Sequence, residues 1–200
     1  YLTAYGALVY YGRMTSDDLV LVTAASSSVG IAAIQVARAI GATVIASTRA
    51  VEKEALIRDL GANHVVVLER DDLASSIKEI TGGAGVRLIF DPIAGPFLTD
   101  LCEVIAPHGI IYEYGALHPE ATLYPLMPML AKSITITGYQ VLDFVLDKKR
   151  FKMGSDFIFE RINSGKLKPV IDRIFPLEEI VSAHQYMESN QQCGKIVITV

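Results

Sequence analysis

From Leu19 onward, short runs of β-branched and aliphatic residues alternate with longer segments whose apolar positions recur every three or four residues. That alternation is the pattern of successive βα units feeding a parallel sheet, because strands buried on both faces read as continuous apolar runs while the covering helices are amphipathic. The pattern predicts strands at Leu19 to Thr23, Thr43 to Thr48, His64 to Leu68, Arg87 to Asp91, Gly109 to Tyr114 and Ser133 to Tyr139. Between them it predicts helices at Val29 to Ile40, Val51 to Leu60, Leu73 to Thr81 and Phe97 to Ile105, with stop signals at Gly41, Gly61, Gly82 and Pro107. Six strands in this rhythm suit a Rossmann doubly wound parallel α/β sheet of order 3-2-1-4-5-6. After the sixth strand the rhythm changes. Asp147 to Asn163 reads as a long charged helix, and the tail from Lys166 reads as strand, helix, strand, with Pro176 and its following acids opening the helix. The final strand, Lys195 to Val200, is nearly all β-branched and is expected to be buried or paired.

The stretch "LVLVTAASSSVGIAAIQVARAIGATVIASTR" sharpens the picture. It joins a buried strand, a loop of tiny residues, a helix with small residues on its near face, and a second strand. A pyrophosphate needs that arrangement, since it must approach backbone N–H groups at a helix N-terminus, where unsatisfied donors and the helix dipole favour an anion. The glycine positions of a dinucleotide fingerprint fall on Ala24, Ser27 and Gly30, of which only the last is glycine. Ser26, Ser27, Ser28, Val29 and Gly30 are therefore the candidate phosphate contacts. The alternative is a plain polar loop with Ser28 capping the helix.

The end of the second strand decides the cofactor. An NAD site there carries Asp or Glu for the ribose hydroxyls, and this strand ends Ser47, Thr48, Arg49 with Lys53 one turn further on. Missing acid and added base favour a 2'-phosphate, so NADPH (NADP) is expected over NADH. A solvated Arg and Lys at a helix start is the alternative.

Composition removes other classes. The chain has 200 residues, 51% of them hydrophobic, with a net charge of −4. That supports a globular core and offers no general attraction to nucleic acid or anionic lipid. The two cysteines, Cys102 and Cys193, lie far apart with no metal-ligand spacing, so no metal site is expected and a reducing, cytoplasmic location is. No apolar run is long enough to span a bilayer. The four histidines form neither a metal pair nor a triad order. The chain opens at Tyr1 in an apolar, aromatic segment, as a piece cut from a longer protein would.

The segments "YLTAYGAL", "VTAASSSVGIAAIQVARAIGA", "FDPIAGP", "APHGIIYEYGAL" and "FPLEEIVSAHQYMESNQQCGKIVITV" resemble, in content and order, the C-terminal part of the medium-chain dehydrogenase/reductase superfamily, most closely its zinc-free quinone oxidoreductase branch. The resemblance covers essentially the whole chain. It implies an NADP-binding domain over residues 1–166 and a segment, 167–200, that belongs partly to a GroES-like catalytic domain whose bulk lies outside this chain. It also implies that Thr3 lies near the nicotinamide, with Asp91, Ile93 and Ala94 and then Gly115, Ala116 and Leu117 lining the same side of the crevice. The activity implied is hydride transfer from NADPH to a small-molecule quinone or α,β-unsaturated carbonyl, the fragment alone being inactive. A zinc-dependent alcohol or aldehyde dehydrogenase using NADP, and a non-catalytic NADPH-binding module, are the alternatives; the zinc ligand of such relatives would fall ahead of Tyr1. Catalytic residues are not assigned, Tyr114 being one candidate proton donor. The open edge of the sixth strand, "SITITGYQ", implies a homodimer.

Overall fold

The computed structural model describes residues 1–200. Strands β1 (Leu19–Val22), β2 (Thr43–Thr48), β3 (His64–Val67), β4 (Val86–Asp91), β5 (Ile105–Glu113) and β6 (Thr135–Gly138) form one parallel sheet in the order β3-β2-β1-β4-β5-β6. Helix α1 (Leu2–Ala4) runs straight into a π-helix, Tyr5–Tyr11. The crossovers are α2 (Ser28–Ile40), α3 (Glu54–Asp59) after a 3₁₀ turn at Val51–Lys53, α4 (Leu73–Thr81), α5 (Phe97–Val104) and α6 (Leu126–Lys132). Past β6 come α7 (Val141–Val145) and α8 (Lys148–Asn163), then β7 (Ile171–Pro176), α9 (Ile180–Glu188) and β8 (Lys195–Thr199). The last two strands make a separate parallel pair. No helix is long and apolar enough to cross a membrane.

Successive strand residues face opposite sides, so the sheet carries two cores. Val20, Val22, Leu88 and Phe90 pack towards α2 and the π-helix, while Leu21, Ile45, Ile89 and Ile111 pack towards α4 and α5. Each such fully buried side chain contributes roughly 1.5–3 kcal/mol relative to exposure, which explains why the central strands are unbroken apolar runs. Helix ends follow local chemistry. The Asp72 carboxylate accepts from Ser75 N–H to start α4, and Gly82 ends it at φ +60°. At the amino end of the sheet Arg87 pairs with Asp18 and donates to Gly12 O at 2.8 Å, tying β1, β4 and the π-helix together. Burial opposes the Asp18 charge, but Arg87 and the Thr15 N–H outweigh it and hold the carboxyl below its usual range.

The structure adds to the sequence reading and adjusts it in places. The opening aromatic segment is helical, and α6 and α7 occupy stretches to which the sequence pattern assigns no element. Strand β5 begins at Ile105, directly after α5, and absorbs Ala106 to His108 in an irregularity where the register with β4 shifts. Helix α2 is capped by Ser27, whose Oγ accepts from Gly30 N–H at 3.0 Å, not by Ser28. The final strand is paired with β7, as expected, and half-buried.

Candidate dinucleotide site

The β1–α2 loop lies at the carboxyl ends of β1 and β4, where the strand order reverses and a crevice opens. Its turn is made at Ala24, which adopts φ +44° in place of the fingerprint's first glycine. A left-handed alanine is strained, and Ser27 N–H donating to Ala24 O at 2.9 Å and Ala25 N–H donating to Ser47 O at 3.1 Å hold it there. Gly30 is required sterically: a Cβ there would lie 2.6 Å from Ala24 O and 2.8 Å from Ala25 Cα. The loop therefore packs directly on the first turn of α2, and the Val29 N–H at that turn meets no protein acceptor.

Of the four residues read at the end of β2, one faces solvent freely. Arg49 is exposed and makes no ion pair. Ser47 and Thr48 are buried, and Ser47 Oγ is enclosed without a hydrogen-bond partner. Lys53 does not converge with them as its spacing suggested. Its ammonium donates to Asn190 O at 2.7 Å and Gln192 O at 3.3 Å, which clamps the turn before β8 against the start of α3. That turn also reaches the phosphate loop, since Gly194 N–H donates to Ser26 O at 3.2 Å and Gly194 bridges Ser27. Sequence reasoning missed this contact. The available signal was Gly194 itself, at φ +121° and with Val170 O only 2.7 Å from where a Cβ would sit.

On the other side of the switch point, Tyr114 N–H donates to Asp91 O, Leu117 N–H to Pro92 O and His118 N–H to Ile93 O, at 2.9, 2.9 and 3.0 Å. Ile93, Ala94, Gly115, Ala116 and Leu117 are thereby brought together past the ends of β4 and β5. Asp91 belongs to the framework beneath them and does not face the crevice. Fully buried, it accepts from Thr23 Oγ1, from Ile93 N–H at 2.9 Å and from Ala94 N–H at 2.7 Å. Tyr114 is likewise internal, stacked on Phe90 with ring centroids 4.0 Å apart. Its hydroxyl is enclosed, and burial with the nearby Asp91 charge pushes its pKa well up, which makes it a poor proton donor. Thr3 lines a separate cavity of about 400 Å³ with Tyr1, Leu2, Phe151, Ser155 and Phe159. No cluster of three or more His, Cys, Asp or Glu side chains is arranged to hold a metal.

A doubly wound parallel sheet with a tight loop and glycine-packed helix start at its switch point defines a Rossmann domain of the dinucleotide-binding type. The chain belongs to the zinc-binding dehydrogenase family, whose model matches residues 28–160, within the medium-chain dehydrogenase/reductase superfamily. It is 30% identical over 98% of its length to 2-haloacrylate reductase of a Burkholderia species, and covers 60% of that protein. Its fold matches the Escherichia coli quinone oxidoreductase complexed with NADPH at a TM-score of 0.93 and 26% identity, over 100% of this chain and 62% of that one. An NAD-dependent alcohol dehydrogenase matches at 0.88 and 28%, over 100% of this chain and 56% of that one. The chain thus spans 60% or so of the length of such relatives.

Proposed function

We propose that this chain is the NADPH-binding part of an oxidoreductase that reduces a small quinone or an α,β-unsaturated carbonyl. The observation that carries the cofactor reading is the exposed, unpaired Arg49 at the end of a β2 that has no acid, beside a loop whose packing at Gly30 leaves room only for backbone. The enclosed Ser47 Oγ and the free Val29 N–H are polar groups at the same end of the sheet that a dinucleotide would suit. Two relatives, one named for haloacrylate reduction and one for quinone reduction with NADPH in its structure, support the substrate class.

In this reading Ser26 to Gly30 hold the pyrophosphate, with α2's positive end towards it. Arg49 takes the 2'-phosphate, Ser47 and Thr48 shape the floor, and Lys53 acts by fixing the Asn190 to Gly194 turn beside the loop. Ile93, Ala94, Gly115, Ala116 and Leu117 wall the nicotinamide side and exclude water. Bound NADPH supplies the hydride. Residues 167–200 complete a catalytic domain outside this chain, which agrees with the exposed Ile174 of β7 and Val181 of α9 and with the exposed Leu177 in the turn between them.

Calorimetry of the 200-residue chain tests the first half: NADPH is expected to bind and NADH much more weakly, and equal or reversed affinities would overturn the assignment. For the second half, the whole protein should oxidise NADPH with a simple enone or quinone without zinc. Stoichiometric zinc with NADP-dependent alcohol oxidation would replace this reading with the dehydrogenase suggested by the family description.

We also propose a homodimer through β6. Its outer edge is unpaired, and the adjoining Leu123, Tyr124, Leu126, Met127 and Leu130 are all exposed. Sedimentation should give twice the chain mass at micromolar concentration, and Gly138→Pro, which removes an outward N–H of β6 at a position with open space for a side chain, should give monomer; a wild-type monomer would refute the pairing.

A further inference from the structure

Glu113 is a charged residue inside the apolar run Ile110 to Tyr114, at the last register position of β5, directly opposite Asp91 of β4. Both of its carboxylate oxygens are enclosed and neither meets a donor. Asp91 is well supplied, with a hydroxyl and two N–H groups on its oxygens and one acceptor site left open. Two adjacent carboxylates at this depth cannot both be ionised, because neither can donate to the other and burial penalises each charge. One proton resolves the conflict, and Asp91, already supplied with donors, is the member suited to the charge.

We infer that Glu113 is a positioning residue that, as the neutral acid, donates its proton to Asp91 and so fixes the Asp91 to Ala94 turn. The turn needs such support. Ala94 sits at φ +56° and Gly95 at φ +62°, and the Ile93 and Ala94 N–H groups both end on Asp91. If Glu113 ionises, its charge faces that of Asp91 and competes for the same turn. The link to binding rests on the nicotinamide-side assignment given above; the shared proton does not.

Burial, and then the Asp91 charge, push the Glu113 pKa up to about 9. The other titratable groups around the pair do not relieve it. Tyr114 is neutral, Cys102 of α5 has its thiol pushed up to about 11, and the Lys132 ammonium of α6 is taken up by the carbonyls of Cys102, Glu103 and Ile105. The folded chain therefore keeps a proton that the unfolded chain releases in the ordinary carboxylate range. Stability contributed by this group is complete at acid pH, falls as pH rises, and is gone above about 9.

The test compares the wild-type chain with Glu113→Gln, whose amide still donates to Asp91 but does not titrate. Carboxyl carbon NMR should show one glutamate signal titrating far above the others and missing in the variant. Thermal midpoints should fall from pH 5 to 9 in the wild type more steeply than in Glu113→Gln, which should be the more stable of the two at pH 8. NADPH affinity should drop about tenfold between pH 8 and 10 in the wild type and change much less in the variant, a tenfold change matching one pKa unit of coupling. A Glu113 signal titrating in the ordinary range would overturn the shared proton. Parallel binding profiles for the two proteins would overturn the positioning role. Absence of NADPH binding at every pH would count against the cofactor assignment instead, with the NMR and thermal arms still deciding the proton.

Discussion

Gly30→Ala is expected to lower stability by about 1–3 kcal/mol and weaken NADPH binding by roughly a hundredfold, although the same change at an exposed helix position is stabilising. Two effects compete. Alanine gains about 1 kcal/mol of helix propensity over glycine. Against that, the new methyl would sit 2.6 Å from Ala24 O and 2.8 Å from Ala25 O, and both neighbours are backbone, so no side chain can turn aside. Relief requires moving the Ala24 to Ser27 turn, and this turn is already strained at Ala24 and tied by Ala25 N–H to Ser47 O. Overpacking against fixed backbone wins. Loss of the Ser27 cap on Gly30 N–H follows if the turn shifts, which adds to the cost. Thermal unfolding and calorimetry on the same sample measure both effects. Unchanged affinity in a stable Gly30→Ala chain would mean that the loop does not hold the cofactor.

The parts of the fold legible in the sequence are those where one local rule governs. Helix α4 carries its cap at Asp72 and its stop at Gly82, and its bounds agree with the reading to the residue. The six strands were readable because burial on both faces demands unbroken apolar runs. The π-helix at Tyr5–Tyr11 was not, since a run of aromatic and small residues lacks a polar face to show its period. Helix α6 contains Pro128 in its first turn, which reads locally as a breaker and is tolerated where no N–H bond is needed.

The site shows the same division. Three adjacent serines give no local basis for choosing Ser27 over Ser28 as the cap, because the choice depends on where Gly30 docks against the loop. Lys53 was assigned by its distance along the chain from Arg49. Its actual partners, Asn190 and Gln192, lie far away in sequence and reach it only because β8 returns beside the loop. Asp91 was read as facing a ligand since it ends a strand at the crevice, yet alternation along β4 turns it inward with Ile89. Glu113 carried a signal that could have been used: an acid within an apolar strand needs a partner, and the parallel register of β4 and β5 supplies Asp91.

Arg49→Ala should cost the chain on the order of tenfold to a hundredfold in NADPH affinity while leaving NADH binding nearly unchanged, the size expected for a charge-assisted hydrogen bond to a phosphate. The selectivity of the loss carries the information. Arg49 is exposed, makes no ion pair and supports no other side chain, so its removal should leave the thermal midpoint within the error of a surface substitution. Lys53→Ala should behave differently. It frees the carbonyls of Asn190 and Gln192, loosens the turn that bridges Ser27 through Gly194, and so should weaken both cofactors along with stability. The two substitutions separate a residue that reads the 2'-phosphate from one that fixes the loop. If instead Lys53→Ala alone discriminates against NADPH, the ammonium must leave its carbonyl partners on binding, and the turn before β8 must move with it.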